Sequence, residues 1–341
     1  ITGLITLNIF FQQSLQLETA EQFNKQQLLL SKSIAFNIKA YMHFMKEELL
    51  HIANIVVKKN LRSTEELRWL SEQIKTDKTI RVDFGILSEK GSIIFFQGNH
   101  DNLEPIVGDV VNNAMGMSPD KPFMYTAQSY MYIAYPYFEQ GRLKEILFIS
   151  ISIEDISRYF LGGITSGEKG YAWMMNKEGT LLYHPTQPAM VGGNIYKAEK
   201  KCFNCHVNFD IVKKIIEGKI SNYGRYIAPT GTDKIIAFST VDMDKISWAI
   251  AVSSPFSEVT ATTRKSMELY SYLIISIFVV ASMVSGVLIV FNRRVILAEE
   301  AARHRQELET YAAELERKVD ERTAELSSEK EKLDTIVSAI G

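Results

Sequence analysis

The chain has 341 residues, 38 Lys+Arg against 40 Asp+Glu, and 46% hydrophobic residues. This is the composition of a folded protein with room for two or three domains, and it lacks the basic excess that a nucleic-acid partner would require. Two cysteines are too few for a secreted disulfide framework or, alone, for a four-thiolate zinc site.

Residues 1–11 (ITGLITLNIFF) are uncharged and apolar but reach only about half the length of a bilayer span. They read as the end of a truncated first transmembrane helix, with a cleaved signal peptide as the rival reading. No Pro or Gly interrupts Gln12 to Lys59, and Ile34, Ile38, Tyr41, Met45, Leu49 and Ile52 recur at helical spacing. Residues 12–60 are therefore expected to be one long helix rising from the membrane. Thr64, followed by Glu65 and Glu66, starts a second helix running to Lys75.

Two stretches then repeat each other. Asp83 to Phe95 (DFGILSEKGSIIF) and Tyr171 to Tyr183 (YAWMMNKEGTLLY) both read as strand, glycine-bearing turn, strand. Each is followed by two more strands: Tyr130–Phe138 with Glu145–Ile153, and Lys234–Thr240 with Ser247–Ser253. Ile133-Ala134-Tyr135 aligns with Ile236-Ala237-Phe238. On this alignment the second copy carries roughly 15 extra residues between hairpin and next strand, a connection of the kind that holds ligands. The copies define a membrane-distal module at 61–160 and a membrane-proximal module at 161–258. A connecting helix at 259–268 follows.

No charge occurs from Leu269 to Asn292, a length sufficient to cross a bilayer, and Tyr270 and Tyr272 mark one interface. Arg293 and Arg294 place the C-terminal side in the cytoplasm by the positive-inside rule. The expectation is a multi-pass protein of the bacterial inner membrane, with residues 12–268 periplasmic and 293–341 cytoplasmic. Beyond the span, Ala312, Val319, Leu326, Leu333 and Ile340 form one heptad seam, and Leu308, Leu315, Arg322, Glu329 and Ile336 form a second, broken one. A parallel coiled coil, and hence a homodimer through this coil and the long helix, follows.

The extra segment contains Cys202-Phe203-Asn204-Cys205-His206, which is the C-x-x-C-H pattern of covalent c-type haem attachment. Two thiols add to the porphyrin vinyl groups and the adjacent imidazole becomes an axial iron ligand. One covalent haem c held by Cys202, Cys205 and His206 is the expectation. A Cys202–Cys205 disulfide or a zinc site remain open on the same residues. Met190 and His184, nearest before the motif, are candidates for the sixth ligand. In the first module Tyr125, Tyr130, Tyr132 and Tyr135 could line a small-molecule pocket with Arg81 or Asp83 supplying charge; ordinary aromatic packing explains the same pattern. His304 lacks the context of a kinase phosphoacceptor, and no P-loop, nucleophile elbow or zinc-protease motif occurs.

The layout resembles the double Cache sensor domains of bacterial transmembrane receptors. GYAWMMNKEGTLLYHP, Lys234 to Thr240 and SWAIAVSSPFSEV carry the resemblance, and LERKVDERTAELSSEKEKLDTIVSAIG is similar to the signalling helix of receptor kinases. It implies an α+β fold: a long N-terminal helix, two tandem PAS-like antiparallel-sheet modules, then the transmembrane helix and coil. The amino-acid signature of one family branch is not reproduced, since Arg68-Trp69 has the wrong spacing. The implied function is a transmembrane receptor for redox state or a diatomic gas, acting through haem on an output domain outside this sequence, with a response regulator as partner if that domain is a histidine kinase. A small-molecule Cache receptor for organic acids or amines with a Cys202–Cys205 disulfide, and a membrane-anchored electron-transfer module, are the alternatives. No catalytic domain is contained in these residues.

Overall fold

The computed structural model describes residues 2–74, 79–98, 104–127, 129–197, 213, 214, 217, 222–228 and 231–340. Helix α1 (Thr2–Lys58) is continuous over 57 residues. Its buried positions, among them Ala20, Asn24, Gln27, Ser31, Ile34, Ile38, Met42, Met45, Leu49 and Ile52, step by three or four and so lie in one stripe. The stripe changes character along its length. From Ile34 onward it is apolar and fully buried, each large side chain stabilising the fold by about 1.5–3 kcal/mol. From Asn24 to Ser31 it is polar. Asn24 Nδ2 donates to Gly224 O at 3.1 Å, and Gln27 Nε2 donates to Ser254 Oγ at 2.8 Å and Ser166 Oγ at 3.0 Å.

Two antiparallel sheets pack on this stripe. The first runs β2-β1-β5-β4-β3, built from β1 (Val82–Ser88), β2 (Ile93–Gln97), β3 (Phe123–Ala127), β4 (Tyr130–Glu139) and β5 (Arg142–Ser152). The second runs β6-β7-β11-β10-β9, with β8 pairing β7. Its strands are β6 (Thr165–Ser166), β7 (Gly170–Asn176), β8 (Leu181–Tyr183), β9 (Tyr223–Ile227), β10 (Asp233–Met243) and β11 (Ile246–Pro255). Ile133, Leu147, Ile149, Met174, Ile250 and Val252 face α1 in one continuous core. Both hairpin glycines adopt the left-handed conformation that their turns need, Gly91 at φ 84° and Gly179 at φ 81°. Helix α2 (Thr64–Gln73) lies before the first sheet, and α3 (Glu104–Met115) covers its face opposite α1. Helix α4 (Ile153–Leu161) joins the sheets, capped where Asp155 N donates to Ser152 Oγ at 3.3 Å.

The repeat is real, but the strand alignment read from sequence is displaced by one residue. Asp83 pairs with Ser150 and Ser150 with Tyr132 in the first sheet; Tyr171 pairs with Ser253 and Ser253 with Ile236 in the second. Tyr132, not Ile133, is therefore the counterpart of Ile236. Ile133 faces α1, whereas Ile236 faces away from it.

The modules are tied together at the β10–β11 turn. Asp244, at φ 49°, accepts a 2.7 Å ion pair from Lys46 of α1 and a 2.9 Å hydrogen bond from Met124 N of β3. Lys245 Nζ reaches Asn113 Oδ1 of α3 at 2.8 Å.

Short α5 (Phe256–Val259) precedes α6 (Ala261–Ile340). From Met267 onward the helix forms a separate unit. Its Leu269–Phe291 stretch is exposed and apolar, and among the described residues it is the one helix long and apolar enough to cross a membrane. Further on, i to i+4 pairs such as Lys318–Glu314 at 3.0 Å lace the polar faces, while Leu308, Leu315, Val319, Leu326 and Leu333 stay exposed.

Candidate ligand site

The face of the first sheet turned away from α1 carries one row of chemistry. Asp83, Ser150, Tyr132 and Tyr125 stand side by side on β1, β5, β4 and β3 in direct cross-strand register. Ser150 Oγ donates to Asp83 Oδ2 at 3.4 Å, and the Tyr125 and Tyr132 rings stack at 5.3 Å with Tyr130 tilted against Tyr132 at 6.3 Å. Helix α3 lies over this face, with Val110, Val111 and Ala114 in the same cluster as Phe123 and Phe148. Two glycines make room. A Cβ at Gly98 would fall 2.4 Å from Asp83 Cγ, and one at Gly85 would fall 2.5 Å from the Phe148 ring, which stacks on Phe96. A carboxylate beside a hydroxyl and aromatic faces is suited to hold a cationic ammonium group.

The tyrosines named from sequence divide between faces. Tyr125, Tyr130 and Tyr132 belong to the outer cluster, but Tyr135 lies in the core against α1. Strand alternation requires this, because Tyr135 is an odd number of residues from Tyr132. Burial raises the Tyr135 phenol pKa, with Asp120 and Tyr137 adding to it. Arg81 is at the rim: its Nε donates to Asp155 at 3.1 Å while its side chain stays 82% exposed. Asp155 holds the guanidinium pKa up, and Tyr130 and Asp83 add smaller contributions. Ser150, Phe148 and the two glycines were not singled out in the sequence; only strand register brings them to Asp83.

In the second module Cys202, Cys205 and His206 lie outside the described residues. Met190, ending a short 3-10 turn (Pro188–Met190), packs on the outer-face cluster of Trp173, Met175 and Phe238. His184 sits edge-on to Tyr171 at 4.9 Å, and burial, followed by the Lys234 charge, lowers its pKa to about 4. Its Nδ1 accepts from Gln187 N at 3.1 Å, so the neutral ring carries its proton on Nε2. No cluster of three or more His, Cys, Asp or Glu occurs among the described residues.

The residues that build these two tandem antiparallel sheets on one long helix match a family model for the Cache domain of the double type over residues 11–263. The chain belongs to the Cache domain family. Solved Cache sensors share the fold at low identity. The periplasmic sensory domain of the Campylobacter jejuni chemoreceptor Tlp1 is 15% identical with a TM-score of 0.52, over 71% of this chain and 98% of that one. The ligand-binding domain of the Pseudomonas aeruginosa amino acid chemoreceptor PctB, in complex with L-Arg, is 18% identical with a TM-score of 0.50, over 69% and 96%. The extracellular domain of soHK1S-Z6, assigned as a histidine kinase, is 11% identical with a TM-score of 0.53, over 72% and 98%. No curated protein matches the chain by sequence. At these identities the solved structures establish the Cache fold for this chain and no particular ligand.

Proposed function

We propose that this Cache protein is the sensory part of a transmembrane receptor whose distal module binds a small amine or amino acid on the extracytoplasmic side. The observation that carries the reading is the Asp83–Ser150–Tyr132–Tyr125 row beneath α3. PctB, which shares the fold, was solved with L-Arg bound. The ammonium pairs with Asp83 and its carbon skeleton lies against the tyrosine faces. Binding at β3 acts on Met124, and through Asp244 on the proximal hairpin and Lys46 of α1. Only a ligand with different affinities for two arrangements of this linkage transmits a signal. The proximal module then passes it through α6, across the membrane, to a coil whose exposed Leu308, Leu315 and Leu326 seat a second copy. The output domain, whether kinase with a response regulator or chemoreceptor, lies outside this sequence.

Titration calorimetry of the full chain in nanodiscs with ethylamine, putrescine and a panel of L-amino acids tests this. Saturable binding that weakens at least about tenfold in Asp83→Asn supports it; equal affinity in that variant removes it.

The C-x-x-C-H sequence favours a second reading, in which a covalent haem at Cys202, Cys205 and His206 adds redox or gas sensing to the proximal module. Haem supplies a redox-active iron with an exchangeable axial position. A pyridine haemochrome spectrum on protein matured with cytochrome c assembly factors decides it, and iron-free protein under those conditions sets it aside.

A further inference from the structure

The outer face of the second sheet holds a polar corner of opposite charge to the distal site. Ile236 and Phe238 of β10 point outward, and Lys234, two residues before Ile236, shares their face. Lys234 is only 9% exposed, yet its Nζ meets a phenol rather than a carboxylate, donating to Tyr171 OH at 2.6 Å. Among the described residues no acidic side chain pairs with it. Tyr226 is its direct cross-strand neighbour on β9, and Ser253 is that of Tyr171 on β11. Ser253 is fully buried, and its hydroxyl meets the Tyr226 phenol.

A buried ammonium with no counter-charge among the described residues is costly. An anion small enough to stand at the sheet face supplies that counter-charge, accepting from Lys234 and from the neighbouring hydroxyls. A carboxylate meets this with two acceptor oxygens, one for the Lys234 ammonium and one for an adjacent hydroxyl. The His184 ring stands edge-on to Tyr171 at 4.9 Å and closes one side of the corner.

We infer that Lys234, Tyr171, Tyr226 and Ser253 form a carboxylate-binding site in the membrane-proximal module, separate from the amine site proposed for the distal one. Two sources supply that chemistry: a free small carboxylate, or a propionate of a haem attached at Cys202 and Cys205. The second source rests on the haem reading above and the first does not.

The test uses the full chain in nanodiscs, titrated calorimetrically with acetate, L-lactate and pyruvate, both as matured with haem assembly factors and as the Cys202→Ser/Cys205→Ser variant. A free carboxylate site gives saturable binding in both forms. It weakens about tenfold or more in Lys234→Met, is retained within about threefold in Lys234→Arg, and is untouched by Asp83→Asn. A propionate site gives binding only in the Cys202→Ser/Cys205→Ser form, and in the haem-loaded chain Lys234→Met shifts the haem midpoint potential while Lys234→Arg restores it. Thermal melts of the Lys234 variants separate loss of the site from loss of the fold. The inference is overturned if none of the three carboxylates binds either form and the potential does not move. It is equally overturned if binding is the same in Lys234→Met as in the parent chain.

Discussion

The two modules share a five-strand order on the same helix, with β6 added in the second, and they differ where they face away from it. At equivalent positions the distal sheet has Asp83 where the proximal sheet has Tyr171, and Tyr130 where the proximal sheet has Lys234. The serines, Ser150 and Ser253, are common to both. Ser150 donates to an acid; Ser253 stands beside a phenol near an amine. A fold that keeps its hydroxyl and exchanges the charged neighbour can recognise ligands of either sign without changing its core. The inner faces show why this is tolerated: they share one apolar cluster with α1, which holds both sheets while the outer faces differ.

This contrast can be broken in stages. The largest effect is expected at Trp173, the counterpart of Gly85, whose ring packs edge-on against Phe238 at 5.5 Å. Trp173→Ala empties the proximal outer face and costs about 3–5 kcal/mol, read as a lowered thermal midpoint. The reverse change, Gly85→Ala, forces the Phe148 ring aside and costs about 1–3 kcal/mol in the distal module. Asp244→Ala removes the Lys46 pair and the Met124 bond together. A loss of about 1–2 kcal/mol is expected in denaturant titrations, with the distal ligand no longer raising the protection of β10 and β11 amides in hydrogen exchange. If protection of the proximal strands still rises, coupling does not run through this turn.

The smallest effect in neutral buffer is His184→Gln. The folded pKa of about 4 lies below the ordinary value of 6.5, so the unfolded chain binds the extra proton between these values. Stability present above about pH 6.5 is lost progressively as pH falls toward 4. The variant should match the parent at pH 7.5 and show a flatter decline across that window in urea melts.

Much of this architecture is legible in the sequence. The long helix follows from Pro-free, Gly-free periodicity, and the hairpins from glycines at turns that demand positive φ. The short strands β3 and β9 and helix α3 lie in stretches with no clear period. The one-residue error in the repeat has a specific cause. Central strands buried on both faces, such as β4 and β10, lack hydrophobic alternation, so Ile-Ala-Tyr and Ile-Ala-Phe look equivalent while presenting opposite faces. Asp83 and the tyrosines were visible as residue types, but their assembly into a row depends on pairings between distant strands. Lys234 was invisible for the same reason. At the start of an apolar strand it reads as a solvated end, and only the fold buries it against Tyr171.

Helix α1 lends itself to a mechanical description. Its upper part, from Ile34 to Val56, is keyed to both sheets by shape, since each Ile, Leu or Met fits one recess and a shift leaves voids. Its lower part is held by Asn24 and Gln27, whose amide oxygens have no partner among the described residues and whose donors meet interchangeable hydroxyls and carbonyls. A shaft fixed by its teeth at one end and by exchangeable grips at the other turns most easily at the gripped end. That end lies beside β9 and the Ser166–Ser254 pair, and one turn further Thr19 meets Thr263 in the first turn of α6 at 3.2 Å.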